Sequence, residues 1–73
     1  MHKQLLRLRQ VREMVGLSRS EIYRLISLGR FPRQIPLGDR VRAWDADEIQ
    51  AWIRERIEAR EAADQIASSP KAR

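Results

Sequence analysis

The sequence predicts a small, mainly α-helical domain with one β-hairpin, and three observations support this fold class. Apolar residues recur at helical spacing in two short stretches separated by a glycine, and in a third stretch that follows a run of acidic residues. Two extended runs lie between them, joined at Gly38-Asp39. The chain has 73 residues, enough for one hydrophobic core. We expect residues 1–57 to form the domain, and residues 58–73 to form a helical extension and a disordered tail.

The first helix is predicted to be about two turns long. Residues 4–8 form a mainly apolar segment before this helix, and we predict a short edge strand there. The helix itself is indicated by four apolar residues at helical spacing, which are Leu8, Val11, Met14 and Val15. Gly16 ends it, because glycine adopts the left-handed conformation without a Cβ clash.

The second helix begins at a capping box formed by Ser18 and Glu21, in which each side chain is expected to bond the backbone amide of the other. It continues to Gly29. Its core-facing side is predicted to consist of Ile22, Leu25 and Ile26. Its opposite side is predicted to consist of Ser20, Arg24 and Ser27, with Tyr23 on the flank. Two short helices around a glycine-containing turn are typical of a helix-turn-helix.

The segment after the second helix predicts a β-hairpin. Phe31 is expected to enter the core, and Pro32 prevents the helix from continuing. The extended runs 34–37 and 40–44 then form two strands, and Pro36 restricts the first of them to a sheet edge. A basic hairpin after a helix-turn-helix is what a DNA-binding wing would look like.

The third helix is predicted to begin with a second capping box, from Asp45 to Glu48. Trp44 and Trp52 are assigned to the core, and Trp52 is expected to join this helix to the helix-turn-helix. The buried stripe of the helix is predicted to consist of Ile49, Trp52, Ile53 and Ile57.

Charge and composition favour a protein that works by binding. The net charge is +5. Residues 1–42 carry ten basic and three acidic side chains, a net of +7, whereas residues 43–73 carry five and seven, a net of −2. Arginine concentrated in one half of a small domain is the electrostatic signature of a nucleic-acid binder, although a solubilising surface would give the same count. We expect a cytoplasmic location.

Other composition features exclude several classes of protein. Without cysteine there is no disulfide framework or thiolate metal site, and with His2 as the single histidine a zinc site or a Ser/His hydrolase is not expected. No apolar run approaches the ~20 residues of a membrane span. We therefore predict no catalytic residue, no metal, no cofactor and no membrane partner.

Several short motifs in a fixed order resemble the AlpA family of small prophage-associated transcriptional regulators, which is related to excisionases and to the DNA-binding domains of the MerR class. The resemblance covers roughly residues 5–55. It implies a MerR-like winged helix-turn-helix in which the helix after Ser18 reads duplex DNA and the hairpin at Gly38-Asp39-Arg40 is the wing. Arg42 departs from the family's usual small or β-branched wing residues. The matching motifs are Leu17-Ser18-Arg19-Ser20, Ile22-Tyr23-Arg24-Leu25-Ile26, Gly29-Arg30-Phe31-Pro32, Leu37-Gly38-Asp39-Arg40, Trp44 and Ala51-Trp52-Ile53.

The candidate DNA-binding residues lie on the second helix and around the hairpin. Arg24 is the candidate for a guanine or a phosphate, and a solvated arginine is the alternative. The ring of Tyr23 either packs in the core or offers its hydroxyl to a phosphate. The wing arginines are expected on phosphates or in a narrow minor groove, or they protect the sheet edge from aggregation. The full set is Arg19, Ser20, Tyr23, Arg24, Arg33, Arg40 and Arg42.

The sequence thus predicts a double-stranded-DNA-binding transcriptional regulator of phage or prophage type that is not an enzyme. The nearest alternative is an excisionase-like recombination directionality factor that bends DNA and recruits an integrase. A rival from another class is a protein-interaction adaptor that docks a partner on its acidic third helix. The protein partners considered are RNA polymerase and an integrase. We expect a monomer in solution that binds tandem sites cooperatively through residues 54–66.

Overall fold

The computed structural model describes residues 2–68, with side chains up to residue 65. It confirms a mainly helical domain with a small antiparallel sheet. The disordered tail predicted for residues 68–73 lies outside the described residues, except for Ser68, which is helical. The elements in order are β1 (Leu5–Leu6), α1 (Leu8–Val15), α2 (Arg19–Ser27), β2 (Ile35–Pro36), β3 (Arg42–Asp45) and α3 (Ala46–Ser68).

The three strands form one sheet in the order β1-β3-β2. In β1, Leu6 pairs with Trp44, and in β2, Ile35 pairs with Ala43, both antiparallel. Pro36 lies on an edge strand, where a residue without an N–H does not interrupt the ladder. The central strand β3 ends at Asp45 and α3 begins at the next residue, so the sheet and the third helix are directly connected.

Each helix contributes one fully buried apolar residue to the core, namely Val11, Ile22 and Ile49. Trp44 is also fully buried, and its indole Nε1 donates a 3.0 Å hydrogen bond to the Pro32 carbonyl. Leu6 and Phe31 complete the cluster. Buried Trp44 and Phe31 agree with the predicted core.

Two predictions for α3 need correction. Ile57, predicted on the buried stripe, is 43% exposed, and Trp52 is only partly buried. The partly buried stripe ends at Ile53. Side chains 54–65 are exposed, and the molecule measures 54 Å along its longest axis.

The helix ends confirm part of the predicted capping. Gly16 has a φ of 73°, the left-handed conformation expected of a C-terminal glycine. The Ser18 Oγ accepts the Glu21 amide at 3.2 Å, but the Glu21 carboxylate binds Arg24 instead of returning to Ser18. Thus half of the predicted capping box forms, because an ionised guanidinium is a stronger donor than a backbone amide.

The N-terminus of α3 is fixed by Asp45. Its Oδ1 accepts the Asp47 amide at 2.8 Å, and its Oδ2 accepts Lys3 Nζ at 2.9 Å. The same ammonium reaches Asp47 Oδ2 at 3.2 Å. Lys3 therefore fastens the chain before β1 to the start of α3. Within the described residues, no helix is both long and apolar enough to cross a bilayer.

Candidate nucleic-acid interface

The outer face of α2 carries four of the seven predicted site residues. Ile22 anchors the helix in the core, while Arg19, Ser20 and Arg24 are exposed, as the helical spacing predicted. Because the Ser18 side chain accepts the Glu21 amide, it caps the first turn of α2 and stabilises the N-terminal end of the helix. The result is an exposed helical surface of polar and cationic groups.

Tyr23 lies at the boundary between this face and the core. Its ring packs edge-to-face against Trp44, with 6.4 Å between the ring centroids. The Arg19 guanidinium carbon lies 5.6 Å from the centroid of the same ring. This distance allows a cation–π attraction, which favours Arg19 conformations close to α2. The Tyr23 ring thus contacts the Arg19 guanidinium on its exposed side and the buried Trp44 ring on its core side.

Arg24 is paired with Glu21 one turn earlier on the same helix. Its Nε donates to Oε1 at 3.2 Å and its Nη2 donates to Oε2. The side chain of Arg24 is nevertheless 58% exposed. The hydrogen bond from Arg24 lowers the pKa of the Glu21 carboxyl, and the same bond raises the pKa of Arg24. Both groups are therefore charged at neutral pH.

The hairpin tip exposes Arg40 and Arg42. A backbone hydrogen bond of 2.8 Å from the Leu37 amide to the Val41 carbonyl closes the turn. Arg42 Nη1 donates to the Gly38 carbonyl at 3.4 Å, so this side chain lies along its own hairpin while staying exposed. Arg40 projects from the turn itself.

Arg33 is placed apart from the α2 residues. It lines a groove between segment 29–35 and α3, whose floor includes Phe31 and Trp52 and whose α3 side carries Glu48. The groove contains both signs of charge, because Arg30, Arg33 and Arg56 line it together with Glu48 and Glu55.

Two arginines of α1 that are not among the seven predicted site residues lie close to α2. Arg9 and Arg12 line a shallow groove beside the N-terminus of α2, together with Glu13, Gly16, Leu17 and Ser18. Their spacing of three residues on one face of α1 was the available signal. Within residues 2–68, no group of three or more acidic or histidine side chains is placed to hold a metal ion.

These elements define a class of protein. Two short helices joined by a tight turn, a third helix, and a β-hairpin between the second and third helices have the arrangement of a winged helix-turn-helix domain.

The particular family follows from comparison with known proteins. The family model described as prophage CP4-57 regulatory protein (AlpA) matches residues 4–57. A relative from Enterobacteria phage P4, described as uncharacterized protein ORF88, is 47% identical over 55 residues. That match covers 75% of this chain and 62% of the relative. The chain belongs to the AlpA family of prophage regulatory proteins, as its motifs indicated.

Proposed function

We propose that the protein is a transcriptional regulator of phage or prophage type that binds double-stranded DNA in a sequence-specific manner. The observation that carries the proposal is the outer face of α2, where Arg19, Ser20 and Arg24 are exposed on a capped helix. A helix fits the major groove of B-DNA, and arginine is the residue that most often reads guanine there. Membership of a regulatory family supports the same function.

The flanking arginines supply phosphate contacts in this proposal. Arg40 and Arg42 extend from the hairpin, and Arg9 and Arg12 lie beside the start of α2. Phosphate contacts fix the register of a protein on DNA without reading sequence. Arg33 is proposed as a weaker member of the set, because acidic residues of α3 line the same groove.

Selection of bound duplexes from a random library tests the proposal. We expect a defined site to be enriched, and binding to that site to weaken steeply as salt rises, since each phosphate contact releases counterions. Absence of duplex binding at low salt would refute the function and would favour a protein-interaction adaptor. Enrichment of no sequence, despite binding, would refute its specificity.

An excisionase-like role would use the same interface, so its test is different. A recombination directionality factor bends its site, whereas a regulator need not do so. Circular-permutation mobility shifts on the selected duplex measure the bend directly. We expect little bending, because a single helix and one wing contact a short stretch of DNA. A bend of the size that architectural proteins produce would support the excisionase instead.

A further inference from the structure

Glu21 is an acidic residue on the helix that is proposed to enter a polyanion. Its side chain is 38% exposed, beside Arg24. Because a bare carboxylate here would repel phosphates, its presence needs an explanation. The Ser18 cap uses only the backbone amide of Glu21, so capping does not require the carboxylate.

The atoms used in the Glu21–Arg24 pair provide that explanation. The carboxylate accepts from Nε and from Nη2, which is a side-on contact with the guanidinium. Nη1 takes no part in it. A guanidinium has five N–H donors, so a side-on pair leaves the end formed by Nη1 and the second hydrogen of Nη2 available. That end can bind O6 and N7 of guanine in a bidentate manner.

From this geometry we infer that Glu21 is a positioning residue that orients Arg24 for guanine. The inference rests on the proposed function. The carboxylate restricts the rotamers of Arg24 before DNA arrives, so less side-chain entropy is lost when the base contact forms. It also disfavours Arg24 conformations that turn aside to bind a phosphate. Glu21 thereby favours base reading over backbone binding without contacting the DNA.

A thermodynamic cycle on Glu21→Gln and Arg24→Ala tests the inference. Affinities are measured by fluorescence anisotropy on the library-selected duplex and on its scrambled counterpart. We expect Glu21→Gln to weaken selected binding about fivefold and to leave scrambled binding within about twofold, since it disturbs one bidentate contact. In the Arg24→Ala background, Glu21→Gln should have no further effect on the ratio of the two affinities.

Glu58→Gln is the matched control on duplexes that hold a single site, where the cooperative contacts expected of residues 54–66 do not form. It makes the same change of charge on the exposed part of α3. It should leave the ratio of selected to scrambled affinity unchanged. An exposed ion pair contributes little to stability, so Glu21→Gln should fold normally, and its thermal midpoint verifies this.

The remaining outcomes overturn the inference. Tighter binding of Glu21→Gln to both duplexes would show that the carboxylate only repels DNA or competes for Arg24. A loss that persists in the Arg24→Ala background would show that Glu21 contacts a base itself. If the unmodified chain binds specifically but Glu21→Gln has the same ratio of selected to scrambled affinity as Glu58→Gln, the positioning role of Glu21 is refuted. The proposed function would not be affected by that result. Failure of the unmodified chain to bind any duplex would refute both this inference and the proposed function.

Discussion

The indole Nε1 of Trp52 donates a 2.8 Å hydrogen bond to the main-chain carbonyl of Arg30. The ring of Trp52 also lies edge-to-face on Phe31, with 4.8 Å between the ring centroids. From the sheet, Trp44 makes the corresponding bond to Pro32. Two tryptophans of different elements thus hold the segment that leaves α2. Through these contacts, the segment is joined both to the sheet and to α3.

The two tryptophan bonds should differ in their effect on the free energy of unfolding. Trp44→Phe leaves a cavity in the buried core and an unpaired, partly buried carbonyl at Pro32, and we expect a loss of about 2–4 kcal/mol. Trp52→Phe keeps an aromatic ring on Phe31 and leaves a carbonyl that water can reach, so about 1 kcal/mol is expected. Urea denaturation followed by circular dichroism measures both values. A larger loss of stability for Trp52→Phe than for Trp44→Phe would contradict the finding that Trp44 is the more deeply buried of the two.

A pair of glycine substitutions tests the turn after α1. Gly16 has a φ of 73°, and the space around it is open, so Gly16→Ala should lose about 1 kcal/mol of stability through backbone strain alone. Gly38 lies in equally open space without a positive φ, so Gly38→Ala is the control and should be close to neutral. Thermal unfolding compares them. Equal losses would show that the left-handed residue is not what ends α1.

Acid should weaken the connection between Lys3 and the start of α3. The hydrogen bond from Lys3 is the main cause that lowers the pKa of Asp45 below its usual range. A lowered pKa in the folded state adds stability above the ordinary carboxyl pKa of about 4, and this stability disappears as the pH falls through the lowered value. We therefore expect Asp45→Asn to be less stable than the unmodified chain at pH 7, with the difference closing by about pH 2.

Thermal midpoints across a pH series measure this convergence. The exposed Asp39 of the hairpin turn provides the control, since Asp39→Asn removes a carboxylate that takes no part in the Lys3 contacts. A difference between Asp45→Asn and the unmodified chain that is the same at pH 7 and pH 2 would contradict the role of the ion pair. It would show that the loss does not come from the charge of Asp45, since asparagine keeps the Oδ1 atom that accepts the Asp47 amide.

The sequence predicted the local elements well because each had a chemical marker. Gly16 and Ser18 delimit the turn, and Pro36 identified an edge strand. Long-range partners had no such marker. The pairing of β1 with β3 joins residues that are 38 and 40 positions apart in the chain. The Glu21 carboxylate could bond either Ser18 or Arg24 by spacing alone. Ile57 was misplaced because periodicity indicates a face, not whether anything covers it.

The exposed part of α3 bears on the oligomeric state. Ile57 is the one large apolar side chain exposed among residues 54–65, and charged groups surround it. A stable dimer needs an apolar interface core, so we expect a monomer at micromolar concentration. Sedimentation equilibrium measures this directly. A dimer that dissociates in Ile57→Asp but not in Leu37→Asp would contradict the prediction and would locate the interface on α3.

The most direct test of base reading by α2 compares Arg24→Ala with Arg40→Ala. Binding of both variants to the selected and scrambled duplexes is measured across a salt series. Arg24→Ala should lose about 1–3 kcal/mol on the selected duplex and much less on the scrambled one. Arg40→Ala should weaken both equally and reduce the salt slope by about one unit. Equal losses on both duplexes for Arg24→Ala would contradict the account, because Arg24 would then hold a phosphate.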